Sequence, residues 1–390
     1  MLMLYSGALF LIITSLLTQS VPESGLEGSP IPNYLLASGL FFSGILLLPA
    51  GFYSLQRLNG KPVPPAVLRP VAFWQWVALG VLWASTAALT TWLFSQTNLV
   101  WLIPPLYLLG VSLPVLLLVR LGAGGLPLGS RQRAWGVFGI GLILGPSLAT
   151  IVEGVIYLLA FLGGVILLVI HPDWMKTIQY LGEQVYNATD LNTLLSVLGP
   201  YLINPIATFM LLTVVSVLIP IIEETVKPIG IWLMIGRIQS PPEGFALGVI
   251  SGAGFALIEG LIASASASQD WGFISAARAG GSLMHILATG LMGWGIASFW
   301  KTRRYLRLLA TFGAAVLIHG TWNGLAVLTL TGLMRVMLQP EPIEPLGVGM
   351  VTLGLSIFIA MICTIFVTLW LFNRRLHPSR SLAEIKREAV

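Results

Sequence analysis

Apolar residues fall into ten runs, each long enough to cross a hydrocarbon core about 30 Å thick. They span residues 3–19, 32–54, 71–95, 100–119, 135–170, 203–236, 243–268, 278–300, 307–330 and 347–372. The pattern predicts an all-α fold, a polytopic transmembrane helical bundle of about ten spans. Two runs exceed a simple crossing. Residues 135–170 contain Gly145-Pro146-Ser147 and read as one crossing or two, while 203–236 contain Pro220 and Pro228, where kinks or extension beyond the lipid are expected. One long polar stretch, His171 to Pro200, repeats Trp174, Ile178, Leu181 and Val185 at helical spacing. It is expected to lie on the membrane surface as an amphipathic helix.

Composition settles the solvent. Of 390 residues 56% are hydrophobic and 9% charged, against about 25% charged in a soluble domain, so no soluble fold could cover this apolar surface. The formal charge of +5 does not mark a nucleic-acid partner, because the basic residues sit in short loops and not on one continuous face. They report topology. Arg57, Lys61 and Arg69, then Arg120, Arg131 and Arg133, then Arg237, then Lys301, Arg303, Arg304 and Arg307, then the tail with Arg374, Arg375, Arg380, Lys386 and Arg387 occupy one set of alternate loops, read as inside. The other set carries Glu23 and Glu27, Asp173, Glu183 and Asp190, Asp270, and Glu341 and Glu344, with only Lys176, Arg278 and Arg335 as basic members, and is read as outside. The alternation holds if 135–170 crosses once, which predicts a multi-pass cell-membrane protein with both termini cytoplasmic. The first run lacks a basic n-region and a small-residue cleavage site, so it reads as an uncleaved helix. The single cysteine, Cys363, excludes an internal disulfide and a cysteine metal cluster, and reads as packing.

A charge within the hydrocarbon layer costs several kcal/mol, so ionisable residues there are functional candidates. Glu223, Glu224 and Lys227 lie in the sixth run, Glu259 in the seventh, His285 in the eighth, and His319 with Asn323 in the ninth. At about 1.5 Å per residue from the basic ends, Glu223 lies on the order of 20 Å deep, Glu259 and His285 about 24 Å, His319 about 18 Å and Asn323 about 24 Å. Four helices thus deliver polar groups to one layer, which predicts a shared, hydrated site. Lys227 is spaced to neutralise one acid of the pair, and Pro220 and Pro228 free the carbonyls of Ser216 and Glu224, so a wet cavity is implied. Gly244, Gly248 and Gly252 form a small-residue face that Phe255 and Glu259 continue, which points Glu259 along a close helix–helix seam. His319 and Asn323 share one helix face. Glu153, isolated in the fifth run, reads as structural. Arg278 lies seven residues from His285 on one face and, near the outer interface, reads as an anchor; His171 and His377 are loop residues with no assigned role.

The ordered set Glu223-Glu224-Thr225-Val226-Lys227, Phe255-Ala256-Leu257-Ile258-Glu259, His285 and His319-Gly320-Thr321-Trp322-Asn323 resembles the PrsW family of intramembrane proteases, and more distantly the CAAX-processing and bacteriocin-processing membrane peptidases. The resemblance covers about residues 206 to 330. It implies an intramembrane endopeptidase, with 201–335 as the peptidase core, 1–200 as an N-terminal helical membrane region of unknown role that includes the outside segment 171–200, and 336–390 as a final span with a basic cytoplasmic tail. By the same resemblance Glu223 with His285 would activate water, His319 with Asn323 would stabilise the oxyanion, and Glu224 and Glu259 would support or orient. The family is also metallopeptidase-like. Glu259, His285 and His319 are the candidate ligands of a divalent metal such as zinc, against which stands the absence of an HExxH signature; a metal-free site stays open. The implied partners are the lipid bilayer and a membrane-anchored protein substrate, for which anti-sigma factors are one candidate class. Two other readings of the same residues stay open: a non-catalytic scaffold of the same fold, and a proton-coupled transporter, although no inverted repeat is evident.

Overall fold

The structure, a computed structural model of the chain, describes residues 4–9, 12, 31–188, 191–266, 270–338 and 344–377. Most of the first apolar run lies outside the described residues. Nine helical stretches among those described are long and apolar enough to cross a membrane, and they match the other nine runs. The helices are α1 (Ile31–Leu46), α2 (Leu48–Leu58), α3 (Phe73–Leu93), α4 (Ile103–Ala123), α5 (Arg131–Ile170), α6 (Pro172–Tyr186), α7 (Leu191–Leu202), α8 (Pro205–Trp232), α9 (Pro241–Ala263), α10 (Trp271–Thr302), α11 (Tyr305–Leu338) and α12 (Pro345–Leu376). No strand occurs among the described residues, and Pro65 and Ser130 form an isolated bridge. The polar segment after α5 is helical, with Trp174 and Ile178 on its exposed surface.

The two overlong runs resolve differently. Run 135–170 is one helix, α5, interrupted by a π-turn at Ile140–Leu144. In α8 a π-turn at Val214–Leu218 precedes Pro220, and the regular helix stops at Val226 before a one-turn helix, Ile229–Trp232, resumes beyond Pro228. Proline removes one backbone donor and crowds the preceding turn, which accounts for the break at Pro228.

The chain divides into two compact units. The first comprises residues 1–146, 224–315 and 364–390. Its core is the α9–α10 pair. A Cβ at Gly244, Gly248 or Gly252 would collide with the carbonyl oxygens of Gly293, Thr289 and His285 respectively, so only glycine permits this approach. At the π-turn in α5 the packing is as close: Gly141 faces the backbone of Ser251, and Gly254 faces the carbonyl of Phe138. Elsewhere in this unit Trp271 fills the space over Gly110, the Tyr107 hydroxyl donates to the Leu261 carbonyl, and Phe372 stacks on Phe245 with ring centroids 5.6 Å apart. Asn373 donates to the carbonyls of Gly122 and Gly124, both at 2.9 Å.

The second unit comprises residues 147–223 and 316–363. Its α11 and α12 segments meet where Gly332 faces Met350 and the Gly347 carbonyl, Gly354 faces Thr329, and the rings of Trp322 and Phe358 cross at 4.9 Å. Arg335 ties the end of α11 to Glu344 at 2.8 Å and to the Ile203 carbonyl at 3.2 Å. The face of α5 in this unit is largely exposed and apolar, with Phe161 66% and Val169 71% accessible. Lipid is the solvent that suits such a surface.

Candidate active site

Five of the singled-out side chains of the first unit form one contiguous line. Lys227 is drawn inward because the chain turns at Pro228, and the Lys227 carbonyl left over at that turn accepts from the Ser251 hydroxyl at 2.7 Å. Its ammonium Nζ lies 2.6 Å from Glu224 Oε1 and 2.7 Å from His285 Nδ1, and 4.5 Å above the Phe255 ring. Both Lys227 and Glu224 are fully buried. A protonated Lys227 can only donate, so His285 accepts at Nδ1 and a neutral ring carries its proton on Nε2. That nitrogen lies 2.7 Å from Glu259 Oε2, and the other oxygen of Glu259 lies 2.8 Å from Arg278 Nη2. The Glu259 side chain is 35% exposed while that of His285 is 3% exposed.

The order Glu224, Lys227, His285, Glu259, Arg278 alternates acid and base along the α9–α10 seam. The small residues set it up. With Gly252 against the His285 carbonyl, the two backbones lie close enough for Phe255 to pack its ring 5.4 Å from the imidazole and for Glu259, a turn further, to reach it. Arg278 is a correction to the sequence reading. It is not simply an interface anchor, because its guanidinium reaches Glu259.

The second unit holds Glu223, His319 and Asn323. His319 Nε2 lies 3.8 Å from Glu223 Oε2, with side-chain exposures of 3% and 14%. Asn323 Nδ2 donates to the Val215 carbonyl at 3.0 Å. That carbonyl belongs to the π-turn of α8, where one residue of the helical ladder is out of register and a carbonyl needs an outside donor. Gly320 lets α11 approach the Ser216 carbonyl, the group that Pro220 cannot bond. One amide hydrogen of Asn323 is thus structural, and the second is a donor still to be used. The boundary between the two units falls between Glu223 and Glu224.

Two features had little or no part in the sequence reading. Lys227 was expected only to neutralise an acid, and its contact with His285 depends on packing between helices. Glu243 is 2% exposed, pairs with Arg133, and accepts from the Gln239 amide at 2.6 Å, while Ser240 caps the start of α9 by accepting from the Glu243 amide at 3.3 Å. The run Ser240-Pro241-Pro242-Glu243 carried that signal.

A sequence model of the family described as PrsW family intramembrane metalloprotease matches residues 134–371. The match extends on both sides of the 206–330 stretch that carries the motifs. No curated protein and no solved structure gives a significant match.

Proposed function

The chain belongs to the PrsW family of intramembrane metalloproteases, and from that premise we propose that Glu223, Glu224, Glu259, His285, His319 and Asn323 serve one hydrolytic site. The coarser function follows from membership: the protein is a hydrolase, a multi-pass membrane protease acting on a membrane protein in a lipid environment. In the proposed mechanism Glu223 takes a proton from a water that His285 helps to position. The hydroxide oxygen attacks the scissile carbonyl carbon, and the proton is returned to the departing amine as the C–N bond breaks. His319 and the remaining amide hydrogen of Asn323 donate to the oxygen that becomes negative. Glu224 holds Lys227, and Lys227 with Glu259 holds the plane of the His285 ring. The observation that carries this reading is the line Glu224–Lys227–His285–Glu259: an imidazole held from both nitrogens inside a membrane helix pair is organised beyond what packing needs.

The donors suit a divalent ion of the zinc type. Glu223 Oε2 and His319 Nε2 are too far apart for a hydrogen bond, but their 3.8 Å separation accommodates two ligands each about 2.1 Å from one ion. These two residues, with Glu259 and His285, are the carboxylate and imidazole groups that would hold it. A bound ion would supply Lewis acidity to a water and to the substrate carbonyl. Ligation by His285 through Nε2 would require Lys227 to release Nδ1. We further propose the orientation read from loop charges, with both termini cytoplasmic and residues 171–200 outside, and the division into a region 1–200, a peptidase core 201–335 and a final span with its tail, 336–390.

The test is cleavage of membrane-anchored protein substrates by purified, reconstituted protein. Glu223→Gln and His285→Ala are each expected to lower cleavage by roughly 100-fold or more, and Glu223→Ala and His319→Ala to lose bound divalent metal. Two variants that cleave as the parent does would refute the assignment.

A further inference from the structure

Apart from the peptidase residues, the first unit contains a cavity of about 590 Å³. It lies between α1–α2, α4, the start of α5 and α9, and its walls are apolar, with Phe42, Leu113, Val119, Phe138 and Ile250 among them. The loop from α2 to α3 forms one side through Ala66, Val67 and Leu68. That loop is pinned: Ala66 donates to the Gly129 carbonyl at 2.8 Å, Arg131 to the Pro64 carbonyl at 2.9 Å, and Gly125 to the Leu68 carbonyl at 2.9 Å.

One end of the cavity is cationic. Among the described residues Arg131 is its sole charged lining residue, bonded to the Tyr53 hydroxyl at 3.1 Å with its guanidinium 6.0 Å above the Tyr53 ring. Beside it Arg57 donates to Gln132 at 3.1 Å. Both arginines are exposed and contact neutral groups, whereas the nearby Arg133 is neutralised by Glu243. Lys61 and Arg69 in the pinned loop add positive charge.

We propose that this cavity is a binding site for an anionic phospholipid, with an acyl chain among the apolar side chains and the phosphate at Arg57 and Arg131. Size argues for a slender chain. About 590 Å³ lies within the range of small amphiphile sites. Charge argues for an anionic head. Arg131 lines the cavity and Arg57 is bonded to the adjacent Gln132, and basic pockets between helices recognise anionic lipid head groups; arginine's planar fork also matches phosphate oxygens in pairs.

The experiment is native mass spectrometry of the full-length protein released from bilayers containing equal phosphatidylglycerol and phosphatidylcholine. The parent is expected to retain phosphatidylglycerol at least about 10-fold over phosphatidylcholine. The double variant R57Q/R131Q should lose that preference, R57K/R131K should keep most of it, and Ser112→Phe, which fills the cavity, should reduce retention of both lipids. Circular dichroism of each variant checks the fold. Equal retention of both lipids by the parent, or an undiminished preference in a folded R57Q/R131Q protein, would overturn the site.

Discussion

Lys227 and Glu224 sit where no water reaches them, so each ion depends on the other for the solvation it has given up. Removing one partner of such a pair leaves an uncompensated buried charge, at a cost of about 3–5 kcal/mol. Lys227→Met is therefore expected to lower thermal stability in detergent sharply, and Glu224→Gln added to Lys227→Met should recover a large part. If the double variant is as unstable as the single, the pair is not what binds these residues together. Arg278 differs because its side chain is 21% exposed, and partly exposed pairs contribute under about 1 kcal/mol. Arg278→Ala should hardly move the melting temperature yet lower kcat/KM by about 10-fold through a loosened Glu259, with Arg278→Lys in between; unchanged kcat/KM in Arg278→Ala would remove it from the site. Spacing alone left Lys227 within reach of either acid of the pair, and the structure places it on Glu224. The role of Arg278 was not legible, because a long side chain near a helix end can run to the interface or turn back into the protein, and its spacing from His285 alone does not choose.

At the scale of the helix, Gly244, Gly248 and Gly252 announced a close seam in the sequence because four-residue spacing places them on one face. The structure supplies the partner, α10, and the contacts that forbid a larger residue. Gly248→Leu is expected to push α9 from α10 and destabilise the protein by roughly 1–3 kcal/mol. Gly163→Ala, where an added Cβ meets nothing within 4 Å, should be neutral or slightly stabilising. Equal tolerance of both in a thermal-shift assay would contradict the packing described. The π-turns were not legible. Each depends on something remote in sequence: Ser251 crowding Gly141, and Asn323 catching the carbonyl of Val215. Proline positions predicted that α8 would depart from regularity, but proline alone does not specify a π-turn ahead of Pro220 and a full stop at Pro228.

Across the whole molecule, apolar length and loop charge specified a helical membrane protein, and the described helices agree with nine of the runs. Family membership then separates the peptidase from the scaffold and the transporter, which the ionisable residues alone left open. The division into units that separates Glu223 from Glu224 had no sequence signature, since it follows from which distant segments pack and not from any local break. The proposed orientation is testable in a Cys363→Ser background. Lys176→Cys should react with a membrane-impermeant maleimide added outside intact cells, and Lys61→Cys only after permeabilisation; the reverse pattern would invert the topology. The central claim is that Glu223 and His285 act on the same water, and a double-variant cycle tests it most directly. Residues that work as a unit are strongly non-additive, so Glu223→Gln, His285→Ala and their combination should reduce kcat/KM to nearly the same residual level. Losses that multiply in the combined protein, or either single variant cleaving like the parent, would contradict the account.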